Sequence, residues 1–281
     1  MIIWQVDVYR RPLMDELDKP LWEFVVCNPD KTFAAYAFCS QADVNSQWIV
    51  KQMTDLAEQS TMPDEVHVFR PQAFSLIEAA CDMLDITVIP TRRTPALKEY
   101  LSDRLAVYQA LPNYTDESYD PIAIDSPPPL PLDEALWGDR WRFGALLAGD
   151  IQLFLADHPM PIRTVPDDLI PVNLGLASNV MVPGVIVDGG RASMRLARWL
   201  QDANPVALQY IPGAPDGLIL DAGLSDRWIL ATFDDPSMQQ SAQTYQHRLQ
   251  HSNGLHFLLI QPDDSGMTYT GFWLLRHEKP V

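Results

Sequence analysis

Arg191, Arg195 and Arg198 recur at i, i+4 and i+7 within VIVDGGRASMRLARWL, residues 185–200. On a helix that spacing stacks three guanidinium groups along one edge. Their planar forks match the oxygens of phosphate. Ala192, Leu196, Trp199 and Ala203 fall on a neighbouring face that can bury against a sheet. Residues 171–281 contain seven Lys and Arg residues, so three on one edge concentrate the charge of that region. The alternatives are ion pairing with acidic residues elsewhere, or a face that is simply solvated.

The same stretch contains Asp188-Gly189-Gly190. Glycines ahead of a helix can offer backbone N–H groups to a phosphate, yet the spacing matches neither GxGxxG nor the GxxxxGK pattern of a phosphate loop. A sharp strand-to-helix turn capped by Asp188 is the simpler expectation. DAGLSDRW, residues 221–228, gathers Asp221, Asp226 and Arg227 in a turn. With Asp188 these carboxylates make a conceivable metal set, although turn carboxylates more often cap helices and accept backbone bonds. His247 and His251 stand at i, i+4 without an HExxH or cysteine partner, which gives no zinc pattern. No GxSxG occurs, and no cysteine sits in a nucleophile motif. The expectation is a protein that is not an enzyme and uses no cofactor or metal. Near the end, GFWLLR places aromatics beside Arg276. Such a pair can stack on unpaired bases, although a core strand has the same pattern.

These residues must be positioned by a sizeable fold. The chain has 281 residues with 47% apolar content and eight tryptophans, enough for one large domain or two modest ones. The net charge of −17 excludes a generally basic nucleic-acid coat protein. A local basic patch remains compatible with it, because salt screens charge beyond about 8–10 Å. Cys27, Cys39 and Cys81 lack CxxC spacing and read as buried free thiols of a reducing compartment. No run is long and apolar enough to span a bilayer, and the chain begins at once on a strand pattern. The expected location is therefore the cytoplasm.

Residues 1–109 predict the order βββαβαβα. Strands are expected at IIWQVDVYRR, PLWEFVVC and TFAAYAFC, then a helix through NSQWIVKQMTDLAEQ capped by Asp43 or Asn45, with Trp48, Met53 and Leu56 on one stripe. EVHVFR and TVIP read as strands, AFSLIEAACDMLD and PALKEYLSDRLAVY as helices. This is the element order of ribonuclease-H-like folds. Those enzymes hold divalent metals with carboxylates on the first strand, first helix and fourth strand. Asp7 and Asp55 or Glu58 stand in plausible places, but EVHVFR offers no carboxylate near its end, so the metal site is incomplete. Alternation places Asp7 on a solvated strand face.

Residues 110–170 read as an acidic, proline-rich connector with a short helix over RFGALLAGDIQLFLADH. Residues 105–170 hold 11 acidic and 3 basic side chains. Residues 171–281 form a second unit, in which strands at GVIVDGG and PVALQYIP flank an arginine-bearing helix, and DGLILDAGL and SDRWILATFDD give two more elements around a turn. A polar helix, SMQQSAQTYQHRLQHSNG, and a final hairpin of LHFLLIQPD with MTYTGFWLLR complete it. The fold class is α/β (α+β), with two mixed-sheet domains at 1–109 and 171–281.

WQVDVYRRPL, PLWEFVVC and VNSQW resemble the N-terminal signature of the Tab/Atab RNA-binding family of chloroplasts and cyanobacteria. VDGGRASMRLARWL, GLILDAGLSDRWILATF, GLHFLLIQPD and TGFWLL resemble its C-terminal signature, so the likeness runs in order along nearly the whole chain. The resemblance implies binding of single-stranded A/U-rich leader RNA in the translation of photosystem mRNAs, notably that of psaB, and a role in photosystem I biogenesis. It implies that Trp273, Leu274 and Leu275, which match the family's Trp-Leu-Leu, are tied to RNA binding. Leucines stack poorly on bases, so these residues can instead support the surface that binds. Chloroplast members carry a transit peptide, so a chain starting on the first motif is expected to be cyanobacterial.

The expected interface comprises Arg191, Arg195, Arg198, Arg227, Trp273, Leu274, Leu275 and Arg276. Its partner is RNA, with translation or photosystem assembly proteins as further partners. Two other readings are a protein-binding scaffold with weak or no direct RNA contact, and a metal-dependent nuclease on the N-terminal half.

Overall fold

Period-two apolar residues in IWQVDVYRRPLM and PLWEFVVC build the first two strands, β1 (Ile3–Met14) and β2 (Pro20–Cys27), joined as an antiparallel pair. The computed structural model describes residues 1–58, 60–115 and 117–277, in two units, Met1–Asp125 and Ser126–Val281. The first unit continues with β3 (Ala34–Cys39), α1 (Ser46–Ala57), β4 (Glu65–Val68), α2 (Pro71–Asp82), β5 (Thr87–Pro90) and α3 (Pro95–Gln109). This is the expected βββαβαβα order, and its sheet runs β3-β2-β1-β4-β5. The side chain of Asn45 caps α1 by accepting the Trp48 N–H at 2.9 Å. Trp4, Val6 and Val8 share one face of β1 with Ile49 and Met53 of α1 and Ile77 of α2.

The opposite face of β1 departs from expectation. Asp7 is fully buried, because helix α3 covers that side of the sheet. The Leu97 N–H of α3 donates to the Gln5 side chain at 2.9 Å. Arg70 Nε donates to Asp7 Oδ1 at 2.9 Å, and Arg11 Nη2 to Asp7 Oδ2 at 3.1 Å. Arg11 Nε also donates to Glu23 at 2.7 Å, and Arg104 and Tyr108 complete that carboxylate's shell. Arg70 ties down residues 121–123 by donating to the carbonyls of Pro121 and Ala123. Burial works against the charge of Arg11, and Asp7, with Tyr119, Tyr108 and Glu23, outweighs it, raising its pKa well above the ordinary value.

These carboxylates do not fit a divalent metal. The oxygens of Asp7 are already engaged by guanidinium groups, and Asp55 is paired with Lys51 on α1, the helix that packs on the Val6 face. Among the described residues no group of three or more His, Cys, Asp and Glu could hold a metal.

The second unit contains β6 (Leu130–Pro131), β7 (Arg140–Leu147), α4 (Ile151–Asp157), β8 (Ile162–Thr164), β9 (Met181–Asp188), α5 (Ser193–Ala203), β10 (Pro205–Ile211), β11 (Asp216–Ala222), β12 (Asp226–Phe233), α6 (Pro236–His251), β13 (Leu255–Gln261) and β14 (Gly271–Arg276). One sheet runs β10-β11-β12-β6, the other β7-β9-β13-β14-β8. Residues 142–147, expected to begin a helix, instead belong to β7, a strand antiparallel to β9. RWRFGALL alternates bulky residues with period two, and the Ala148 and Gly149 N–H groups turn the chain by donating to Val180 and Ser178 before α4 begins. Among the described residues no helix is long and apolar enough to cross a membrane.

Candidate nucleic-acid interface

Leu196, Ala197 and Leu200 of α5 are buried in the core of the second unit, and the opposite side of the helix carries Arg195 and Arg198, both exposed. The helix starts at Ser193, two residues later than expected. Arg191, also exposed, stands on a single 3-10 turn, Gly190–Ala192, that leads into it. The helical spacing is therefore i, i+3 for Arg195 and Arg198, with Arg191 preceding them. Arg195 Nη1 lies 3.4 Å from the Ala135 carbonyl. Among the described residues the arginine ion pairs of this unit run through Arg140, Arg142 and Arg227, leaving Arg191, Arg195 and Arg198 without a carboxylate partner.

Asp188 does not cap the helix. At the end of β9 its Oδ2 accepts from Arg140 Nε at 2.9 Å and Arg142 Nη1 at 2.6 Å, and its Oδ1 accepts from Gln261 Nε2 at 2.7 Å. Burial pushes this carboxyl up, and the hydrogen bonds from Arg142, Gln261 and Arg140 outweigh burial, so its pKa lies below the usual carboxylate range. Arg140 also pairs with Asp264 at 2.5 Å. The turn offers no phosphate cradle: the Gly189 and Gly190 N–H groups donate to the carbonyls of Gln261 and Pro262, and the Ala192 N–H to Gly189. Gly190 is required by its geometry, since its φ is +51° and a side chain there would strike the Asp139 carboxylate.

The other expected residues are placed differently. Arg227 is mostly enclosed, its Nε 3.1 Å from Asp221 Oδ1. Asp221 also accepts from Gln209, so it and Asp188 serve separate networks. Arg276, at the end of β14, is exposed and donates to the Asn253 carbonyl at 3.0 Å.

Trp273, Leu274 and Leu275 are buried, at 1%, 0% and 0% exposure. Trp273 and Leu275 belong to the same core as Leu196, Ala197 and Leu200, and Leu274 packs on the other side of the sheet with Phe257 and Phe272. In this arrangement Trp273 and Leu275 underlie α5, and all three side chains are withheld from solvent.

Arg140, Arg142 and Trp137 were not anticipated from the sequence. The signal for the first two was present as alternation in Arg140-Trp141-Arg142-Phe143. It puts both arginines on one face of β7, and Arg140 pairs in register with Asp188.

Residues 3–104 match the family described as RNA-binding protein Tab2/Atab2 N terminal, and residues 119–276 match the RNA-binding protein Tab2/Atab2, C-terminal domain. A protein of Arabidopsis thaliana described as "Protein TAB2 homolog, chloroplastic" is 27% identical over 277 residues, covering 97% of this chain and 74% of its own. A Zea mays protein of the same description is 29% identical over 284 residues, covering 97% and 70%. Among solved structures, the catalytic core domain of BIV integrase covers 38% of this chain and 70% of its own at 19% identity, with a TM-score of 0.28. The HTLV-2 integrase catalytic core domain in complex with magnesium, in its dimeric form, covers 39% and 75% at 17% identity, with a TM-score of 0.27. Likenesses this low carry no argument about the present chain.

Proposed function

The chain belongs to the Tab2/Atab2 family of RNA-binding proteins, and from that membership we propose that its second unit binds single-stranded, A/U-rich leader RNA along the edge formed by Arg191, Arg195 and Arg198. In doing so it supports translation of photosystem mRNAs and photosystem I biogenesis. The observation that carries this reading is the exposure of those three arginines on an otherwise acidic protein, with no carboxylate paired to them among the described residues. Guanidinium groups already held in ion pairs would have to exchange one anion for another. Unpaired ones gain directly from phosphate and release its counterions.

Arg276 lies exposed on the same unit and extends the cationic set. Arg227 is held by Asp221 and contributes by shaping the β11–β12 hairpin. Trp273 and Leu275 act from beneath, as the packing that holds α5 in place, and Leu274 packs the other face of the same strand. The compartment is a reducing one, the cytoplasm, which suits the free thiols of Cys27, Cys39 and Cys81.

A titration against an A/U-rich RNA and a scrambled GC-rich control, at two salt concentrations, tests the reading. Salt-sensitive binding that prefers the A/U-rich strand is expected. Absence of binding up to high micromolar protein would contradict it and favour a scaffold that binds proteins.

A further inference from the structure

We propose that Trp137 is the stacking platform for an unpaired base of the bound RNA. This rests on the RNA-binding reading above and names a contact that reading lacks. The indole is 58% exposed, whereas Trp273 of the same unit is 1% exposed. An aromatic ring left in water forgoes the stabilisation that burial would give it.

The ring is held in place as well as exposed. Its Nε1–H donates to the Leu132 carbonyl at 3.1 Å, across the single 3-10 turn Glu134–Leu136. Part of the residue lines an open cavity of about 480 Å³, together with Leu132, Leu136, Leu196 and Ile229. One edge is therefore anchored to a backbone carbonyl beside this cavity while most of the residue faces solvent. A ring fixed in this way loses little freedom when a base stacks on it.

Its neighbours supply the charge that a nucleic acid requires. The Asp139 N–H donates to the Asp188 carbonyl at 2.8 Å, and Gly138 packs so closely on Val187 and the Asp188 carbonyl that a side chain there would collide with them. The segment carrying Trp137 is thus strapped to the turn that leads into Arg191. From the other direction, Arg195 reaches the carbonyl of Ala135, two residues before Trp137. An exposed aromatic beside a guanidinium group that has no carboxylate partner combines the two elements that grip single strands, a face for bases and a track for phosphates.

The test measures binding of an A/U-rich RNA by the full chain and by Trp137→Ala, Trp137→Phe and Trp137→Leu. Unfolding midpoints confirm that each variant is folded. Trp137→Ala and Trp137→Leu are expected to weaken binding roughly 5- to 150-fold, the cost of one lost stacking contact. Trp137→Phe should recover most of the affinity, and the salt dependence should be the same in all four proteins. Wild-type affinity in folded Trp137→Ala would overturn this proposal and leave the arginine edge standing. Full rescue by leucine would overturn it too, since leucine keeps the apolar contact and has no ring. Failure of the wild-type protein to bind would overturn both this proposal and the reading it rests on.

Discussion

Arg142 donates to the carboxylate of Asp188 at 2.6 Å, across the pairing of β7 with β9. Arg140 approaches the same oxygen from the same strand. Asp188 is thereby the fixed point from which the turn into Arg191 and the segment of Trp137 both depart. Asp188→Asn keeps the size of the side chain but leaves two guanidinium groups facing a neutral amide. The expected loss is about 1.5–3 kcal/mol, as for other hydrogen bonds to charged groups. It would be read from urea unfolding, and an unchanged midpoint would deny the carboxylate this role.

Asp7 anchors the first unit in a similar way, with full burial and two arginine partners. Removing one side of a buried ion pair leaves the other charge uncompensated, so Asp7→Ala should cost about 3–5 kcal/mol. Denaturant unfolding of this variant distinguishes an anchor from a catalytic carboxylate. A metal-dependent RNA cleavage that disappears in a still-stable Asp7→Asn protein would instead revive the nuclease reading.

Trp-Leu-Leu should matter for RNA through packing. Leu275→Met conserves volume and is expected to cost less than about 1.5 kcal/mol, with RNA affinity retained. Trp273→Ala opens the core beneath α5 and should cost about 3–5 kcal/mol, with binding lost in step with folding. RNA affinity that collapses in a Leu275→Met protein of normal stability would point to direct contact.

His256 makes stability depend on pH. Its Nδ1 lies 2.8 Å from the Gly254 carbonyl, and its Nε2 accepts the Leu208 N–H at 2.9 Å. That pair of bonds requires the neutral ring, because a proton on Nε2 would face another donor. Burial, helped by neighbouring His277, pushes the His256 pKa down to about 3. The unfolded ring takes up its proton near 6.5. Above that value the group contributes no pH dependence. From about pH 6.5 down to 3 the unfolded state binds more protons, so stability falls by up to about 1.4 kcal/mol per pH unit. Unfolding midpoints at pH 7 and pH 5 should diverge more in the wild-type protein than in His256→Gln. Equal divergence would remove His256 as the cause.

Much of this architecture is legible locally. Alternation in β1 and β2, the Asn45 cap and the period of α1 and α2 each depend on residues close in sequence, and the βββαβαβα order follows from them. The burial of Asp7 does not. It is imposed by α3, which meets Gln5 from 92 residues away, and by Arg70, 63 residues away. Asp188 fails as a cap for the same reason, since its partners lie 46 and 48 residues upstream in a stretch whose prolines and acids suggest a connector. Strand β7 is masked because its apolar residues run directly into those of α4, and the combined run imitates one helix. The exposed placement of Arg195 and Arg198 on α5 follows from spacing, whereas Arg191 falls on the 3-10 turn before the helix, which the i, i+4, i+7 pattern does not reveal. The exposure of Trp137 is not legible, because the acidic, proline-rich segment around it carries no periodic pattern.

The central claim is tested most directly by replacing Arg191, Arg195 and Arg198 together with alanine. The measurement is the slope of log affinity for an A/U-rich single strand against log salt concentration. Each phosphate neutralised on a single strand contributes about −0.7 to that slope, so losing three contacts should flatten it by about 2. The fold should survive, since all three side chains are exposed. A folded triple variant with the wild-type slope would contradict the account.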